Sequence, residues 1–167
     1  LAGASVPVVW DPVLCASDGK SLLDGADEEN ASTGALAALL PLCTVITPNL
    51  AEATRFTGVA VTSPETMSEA ARVLVSRGAR AVLIKGGHLA SGDANDLLYD
   101  GNEETWLVGE RIACGVVHGT GCVFSTALAC ELLRGQSLAA AARRAKRYLS
   151  DRLRRPITVG HGARCLV

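Results

Sequence analysis

The stretch CTVITPNLAEATRFTG (43–58) decides the fold. Cys43 to Thr47 is rich in β-forming residues and Pro48 ends it, so it reads as a short buried strand. Asn49 then caps a helix that runs through Phe56, and Gly58 stops it. A strand feeding straight into a helix is repeated outward in both directions. Upstream, Val6 to Trp10 is an apolar run closed by Asp11-Pro12, and a helix spans Asp27 to Leu40 with Pro41 as its stop. Downstream, Pro64-Glu65 opens a helix that ends at Gly78. Ala81 to Ile84 is a strand running into Lys85-Gly86-Gly87-His88. Asp96 to Tyr99 and Thr105 to Val108 form a hairpin through Asp100-Gly101-Asn102. Two helices close the order, roughly Cys122 to Leu133 and Leu138 to Leu153. Near-continuous apolar strands alternating with helices predict an α/β fold: a mostly parallel sheet, flanked by helices on both faces, with an antiparallel edge.

Composition supports one such unit over all 167 residues. Apolar residues make up 49% and charged residues 20%, which excludes a chain disordered for want of hydrophobicity. Aromatic residues are only 4%, so Ala, Val and Leu must fill the core. Sixteen basic residues against 17 acidic ones offer no electrostatic reason for a nucleic-acid partner or an anionic membrane. The uncharged stretches 31–51 and 112–130 are broken by Gly, Pro, His and Thr, and read as buried core rather than membrane spans. Six cysteines without a CxxC pair read as reduced, buried small hydrophobes in a cytoplasmic protein, not as a zinc site. The abrupt apolar start, with no initiating Met, reads as a fragment or processed piece.

Ligands of open α/β sheets bind beyond the carboxyl ends of the strands. Here those ends carry Asp11-Pro12, Thr47-Pro48-Asn49 and Lys85-Gly86-Gly87-His88. The strongest local signal is His118-Gly119-Thr120-Gly121-Cys122 ahead of an apolar helix. Glycines there let successive N–H groups converge at a helix N-terminus, which makes an anion site. At such a place a thiol pKa tends to fall, which would make the Cys122 thiolate available. Alone, the string also fits a plain loop with Cys122 in the core and His118 packed beside it. Asn49 and Glu52 share one face of a helix start, where they either hold magnesium or merely cap the helix. Lys85 either meets a phosphate or is an ordinary solvent lysine. Asp11 either bonds its own loop or lies near the metal, and Asp96 is either a hairpin residue or a reader of a hydroxyl. Arg143, Arg144, Lys146 and Arg147 read as a solvated helix face.

Together, VVWDPVLCASDGKSLL (8–23), LLPLCTVITPNLAEATRFTGV (39–59), VLIKGGHL (82–89), DLLYDG (96–101) and HGTGCVFSTALACELLRGQSLAAAARRAKRYL (118–149) resemble the hydroxymethylpyrimidine/phosphomethylpyrimidine kinase family of thiamine biosynthesis, in the ribokinase-like superfamily. VGHG (159–162) is similar to that family's Gly/His-rich tail. The resemblance implies ATP- and magnesium-dependent phosphoryl transfer to hydroxymethylpyrimidine or its phosphate. It makes Gly119, Thr120, Gly121 and Cys122 the anion hole, with Cys122 as base. Asn49 and Glu52, with Asp11 nearby, become the magnesium pair, while Lys85, with Thr47 and Asp96, falls on the nucleotide side. Family members are considerably longer at the N-terminus. The chain therefore reads as one kinase domain, N-terminally incomplete and lacking the opening strands and most of the substrate pocket. A pyridoxal-type kinase, which shares the GTGC loop, and an inactive homologue that only binds nucleotide are the alternative readings. A homodimer is left open.

Overall fold

β1 (Val9–Trp10), β2 (Val45–Ile46), β3 (Val82–Ile84), β4 (Asp96–Tyr99) and β5 (Glu104–Leu107) lie side by side in that order in one sheet of the computed structural model. The structure describes residues 6–14, 38–89, 92–115, 117–158 and 164–166. β1, β2 and β3 pair in parallel, with Val9 opposite Val45 and Ile46 opposite Val82. β4 pairs antiparallel with β3 and with β5, so β4 alone runs against the other four strands of this sheet. The strands are shorter than the sequence suggests. One parallel bridge, Asn49 to Lys85, carries the β2–β3 pairing past Pro48, which has no N–H to donate.

Helices that cover the sheet among the described residues are α1 (Leu50–Thr57), α2 (Pro64–Ser76), α3 (Thr120–Leu133) and α4 (Leu138–Leu153). α1 begins with a reciprocal capping box, in which the Glu52 N–H donates to Asn49 Oδ1 at 2.8 Å and the Asn49 N–H to Glu52 Oε2 at 2.7 Å. It ends at Gly58, whose φ of +79° is open to glycine at little cost. α2 starts with Ser63 capping and Pro64 in the first turn, and Ser137 caps α4. Of the helix expected over 27–40, residues up to 37 lie outside the described residues. Pro41, expected as a stop, sits inside a 3₁₀ turn at Leu40–Leu42, because its fixed φ suits a first turn. A final ribbon pairs β6 (Ile157–Thr158) with β7 (Arg164–Cys165), and the Gly/His segment 159–162 lies outside the described residues.

The pleat of each central strand sends alternate residues to opposite helical layers. Ile46, Val82, Ile84 and Leu97 pack with Ala53, Phe56, Met67, Ala70, Ala71 and Leu74 of α1 and α2. Val45, Leu83, Leu98 and Leu107 pack with Phe124, Leu128, Ala141, Ala142 and Ala145 of α3 and α4. The two buried faces, built of Ala, Val and Leu, are the doubly covered sheet predicted above. Among the described residues, no helix is long and apolar enough to cross a membrane. Of the cysteines, Cys43 is buried, but Cys122 and Cys130 are exposed free thiols on α3, against the expectation of core residues. Both fall on the flank of the helix turned away from Phe124 and Leu128.

Candidate active site

Because β1, β2 and β3 run in parallel, the residues that follow them gather at one edge of the sheet. Asp11 follows β1, Thr47 follows β2, and Lys85 follows β3. The Lys85 ammonium pairs with Asp11 Oδ1 at 2.7 Å, with the two side chains only 17% and 15% exposed. Thr47 is wholly buried, and its hydroxyl lies 3.2 Å from Asp11 Oδ1 and 2.9 Å from Ser125 Oγ. Ser125 in turn donates to the Gly121 carbonyl at 3.1 Å. A continuous polar chain thus ties the first turn of α3 to the ends of β1 and β2.

Gly121 lies directly over the ion pair. A Cβ there would stand 3.0 Å from Lys85 Nζ and 3.9 Å from Asp11 Oδ2, so glycine is what lets the loop approach. Gly119 is the N-cap of α3, at a φ of +78°, and no side chain caps this helix. The N–H groups of its first turn therefore lack intrahelical acceptors, and they carry the positive end of the helix dipole. The loop Gly119–Cys122, which the sequence offered as an anion hole, stands beside the largely shielded Lys85 ammonium. His118 is exposed rather than packed.

Cys122 departs from expectation. Burial, and next the neighbouring Asp11 carboxylate, push its thiol pKa up, and the opposing pull of Lys85 does not restore it. Burial first, and the negative charge beside the sulfur second, thus move the thiol opposite to the fall expected at a helix terminus. Cys122 also opens a groove of about 420 Å³ between α3 and α4, lined further along by Thr126, Cys130, Glu131 and Tyr148.

Glu52 is 6% exposed, and burial raises its pKa against the opposing pull of the Asn49 N–H and of Lys85. Asn49 spends its Oδ1 on the Glu52 N–H, so its evident work is to hold Glu52 in place. Asp11 Oδ2 is buried without a hydrogen-bond partner. An orphaned carboxylate oxygen with a second buried carboxylate close by fits a magnesium ion, which takes one or two protein carboxylates and completes its shell with phosphate oxygens and water. Among the described residues, no cluster of three His, Cys, Asp or Glu is arranged to hold a metal.

Asp96 reaches the same edge, but both of its oxygens have protein partners. The Gly86 N–H donates to Oδ1 at 2.9 Å, and the Lys146 ammonium pairs with Oδ2 at 2.7 Å. Lys146 is therefore not part of a solvated face: its side chain is 12% exposed and turns inward. Arg143, Arg144 and Arg147 do face solvent, because α4 presents them away from Ala141, Ala142 and Ala145. Nothing in the sequence singles out Lys146. Ser125, the other unforeseen member of the site, offers only its position four residues after Gly121, where a helical serine can bond back to a carbonyl.

A family model described as phosphomethylpyrimidine kinase matches residues 1–166. The chain is 44% identical over 162 residues to the hydroxymethylpyrimidine/phosphomethylpyrimidine kinase of Streptomyces coelicolor, covering 97% of this chain and 58% of that protein. The pyridoxal kinase of Staphylococcus aureus, solved with AMP-PCP, superposes with a TM-score of 0.85 at 30% identity, over 98% of this chain and 58% of that one. The phosphomethylpyrimidine kinase of Clostridium difficile superposes at 0.69 with 30% identity, over 87% of this chain and 56% of that one. The chain thus spans a little over half the length of these relatives, and its fold is the ribokinase-like one that the motifs implied. With its GTGC loop seated over a lysine–aspartate pair at the sheet edge, the chain belongs to the phosphomethylpyrimidine kinase family.

Proposed function

We propose that this chain carries the nucleotide-handling and phosphoryl-transferring part of an ATP- and magnesium-dependent kinase acting on hydroxymethylpyrimidine or its phosphate in the cytoplasm. One observation carries the reading: the Asp11–Lys85 pair lies beneath Gly121 at an uncapped helix N-terminus. Phosphoryl transfer demands positioning and charge neutralisation more than covalent chemistry. Lys85 supplies a fixed cation, and the first turn of α3 supplies N–H donors for the phosphoryl oxygens. Asp11 and Glu52 would hold magnesium, which neutralises phosphate charge when bound. Cys122, exposed beside the donors, is placed to take the proton of a substrate hydroxymethyl group. Thr47 keeps Asp11 in register, and Asp96 holds the turn after Lys85.

A pyridoxal-type kinase is the second reading. The high superposition with the Staphylococcus aureus pyridoxal kinase favours it, while the identity to the Streptomyces coelicolor relative favours the first. The deciding experiment is ADP release from magnesium-ATP with hydroxymethylpyrimidine, its monophosphate or pyridoxal offered separately. Turnover of the pyrimidines is expected, and turnover of pyridoxal alone would establish the second reading. Binding of magnesium-ATP without any turnover would make the chain a nucleotide-binding homologue, and absence of binding would sink the kinase reading altogether.

Glu52→Gln is expected to move the magnesium dependence of nucleotide binding to higher concentration while leaving the helix intact, because the amide oxygen still accepts the Asn49 N–H. Magnesium titrations of the two proteins check this. Superimposable curves would remove Glu52 from the metal site.

A further inference from the structure

Lys146 and Asp96 form a buried ion pair that the chemistry above does not use. Their side chains are 12% and 5% exposed, and the ammonium also donates to the Ala94 carbonyl. Gly109 makes the room for the ammonium, and Gly86 lets the backbone after Lys85 press close to the start of β4. A Cβ on Gly109 would lie 2.6 Å from Lys146 Cε, and one on Gly86 would lie 1.9 Å from the Asn95 carbonyl oxygen. The ammonium is thus threaded from α4 between the end of the hairpin and the start of β4. Asp96 passes the restraint on, since its other oxygen accepts the N–H of Gly86, the residue directly after Lys85. A buried ion pair seldom repays its desolvation in stability alone, so its geometry calls for another account.

We propose that Lys146 is a positioning residue for Lys85: by pairing with Asp96 it fixes the Gly86 N–H, and with it the backbone from which the Lys85 ammonium reaches Asp11 beneath Gly121. The chain of contacts is unbroken, from Lys146 to Asp96 at 2.7 Å, Asp96 to Gly86 at 2.9 Å, and Lys85 to Asp11 at 2.7 Å. It makes α4, which contributes no group to the phosphate site, the outer support of Lys85, whose side chain is 17% exposed. The inference rests on the kinase reading for its functional consequence, but not for its geometry.

The test compares wild type, Lys146→Met, and the pair Lys146→Met with Asp96→Asn, which removes both charges and keeps an acceptor for Gly86. Three quantities are read: the unfolding midpoint, the affinity for magnesium-ATP, and the amide proton shift of Gly86. Lys146→Met alone leaves a buried carboxylate unpaired, so it lowers the midpoint, and the double variant recovers it. A merely structural pair would recover nucleotide affinity at the same time. A positioning pair does not: the double variant keeps its weaker amide acceptor, its Gly86 amide stays shifted from wild type, and its affinity stays ~tenfold or more below wild type, the scale expected when a phosphate-contacting group is displaced slightly. Wild-type affinity and an unmoved Gly86 amide in the double variant overturn the proposal, even where Lys146→Met does not fold. If wild type itself fails to bind magnesium-ATP, the kinase reading falls, while the Gly86 amide still decides whether the latch sets the backbone after Lys85.

Discussion

Lys85→Met is expected to reduce kcat/KM for magnesium-ATP by ~10²–10³-fold, the cost typical of removing one preorganised donor from a site where charge develops. The side chain is nearly isosteric, so packing is retained, but the fixed cation is lost. Asp11 would keep its Thr47 hydroxyl contact and lose its only ion-pair partner among the described residues. The same substitution therefore strikes twice, once at the phosphates and once at the carboxylate assigned to magnesium. Circular dichroism should show both helical layers unchanged, since Lys85 belongs to neither of the apolar clusters that hold them to the sheet. Steady-state kinetics check the rest, and wild-type kcat/KM in the variant would make the ion pair a structural one.

Cys122→Ala is expected to lower kcat by ~10²–10⁴-fold, the usual worth of a positioned general base, with little change in nucleotide affinity. The pH profile is the sharper test. Burial and Asp11 push the thiol up, so the thiolate is scarce at neutral pH and accumulates only as pH rises. The rising limb of kcat should therefore lie above the ordinary thiol range of about 8.5, and it should vanish in the alanine variant. A profile flat from neutrality upward, or one that keeps its limb without Cys122, would move the base elsewhere. The thiol's surroundings also argue against casual reactivity. A neutral sulfur beside a carboxylate is a poor nucleophile, which suits a residue exposed to solvent.

Much of this was legible in the residue order because local rules agreed with the fold. The helix over Leu138–Leu153 has a serine cap and an apolar face of alanines, and it spans those residues in the structure. The edge gathering Asp11, Thr47 and Lys85 followed from strands that end in polar residues, which required only that the strands be parallel. What was not legible depends on rotation and depth. Lys146 sits within three arginines, and no pattern in that run tells which residue turns inward; the cleft beside Gly109 decides it. Cys122 has the sequence context of an activated thiol, yet burial pushes its pKa up, helped by the charge of Asp11, more than a hundred residues earlier. Asn49 was open to two readings, helix cap or metal ligand, and only the structure shows its oxygen accepting the Glu52 N–H as a cap.

The two-faced pleat has a further effect on how this sheet finds its alignment. Val45 and Ile46, Val82, Leu83 and Ile84, and Leu97 and Leu98 are all buried, whichever layer they enter. A strand with one wet face punishes a slip of one residue by burying polar groups, whereas a strand apolar on both sides barely notices it. Here the penalty falls on the strand ends instead. A slip of β3 would drag Lys85 towards the hydrocarbon interior or leave Asp11 without its partner, and a slip of β4 would strand Asp96 from Lys146 and Gly86. The residues assigned to chemistry thus also act as stops that halt each strand at its proper place. Neutralising several of them together should blur the alignment of the sheet as well as the reaction, so that selection for turnover and selection for a single folded state act on the same few side chains.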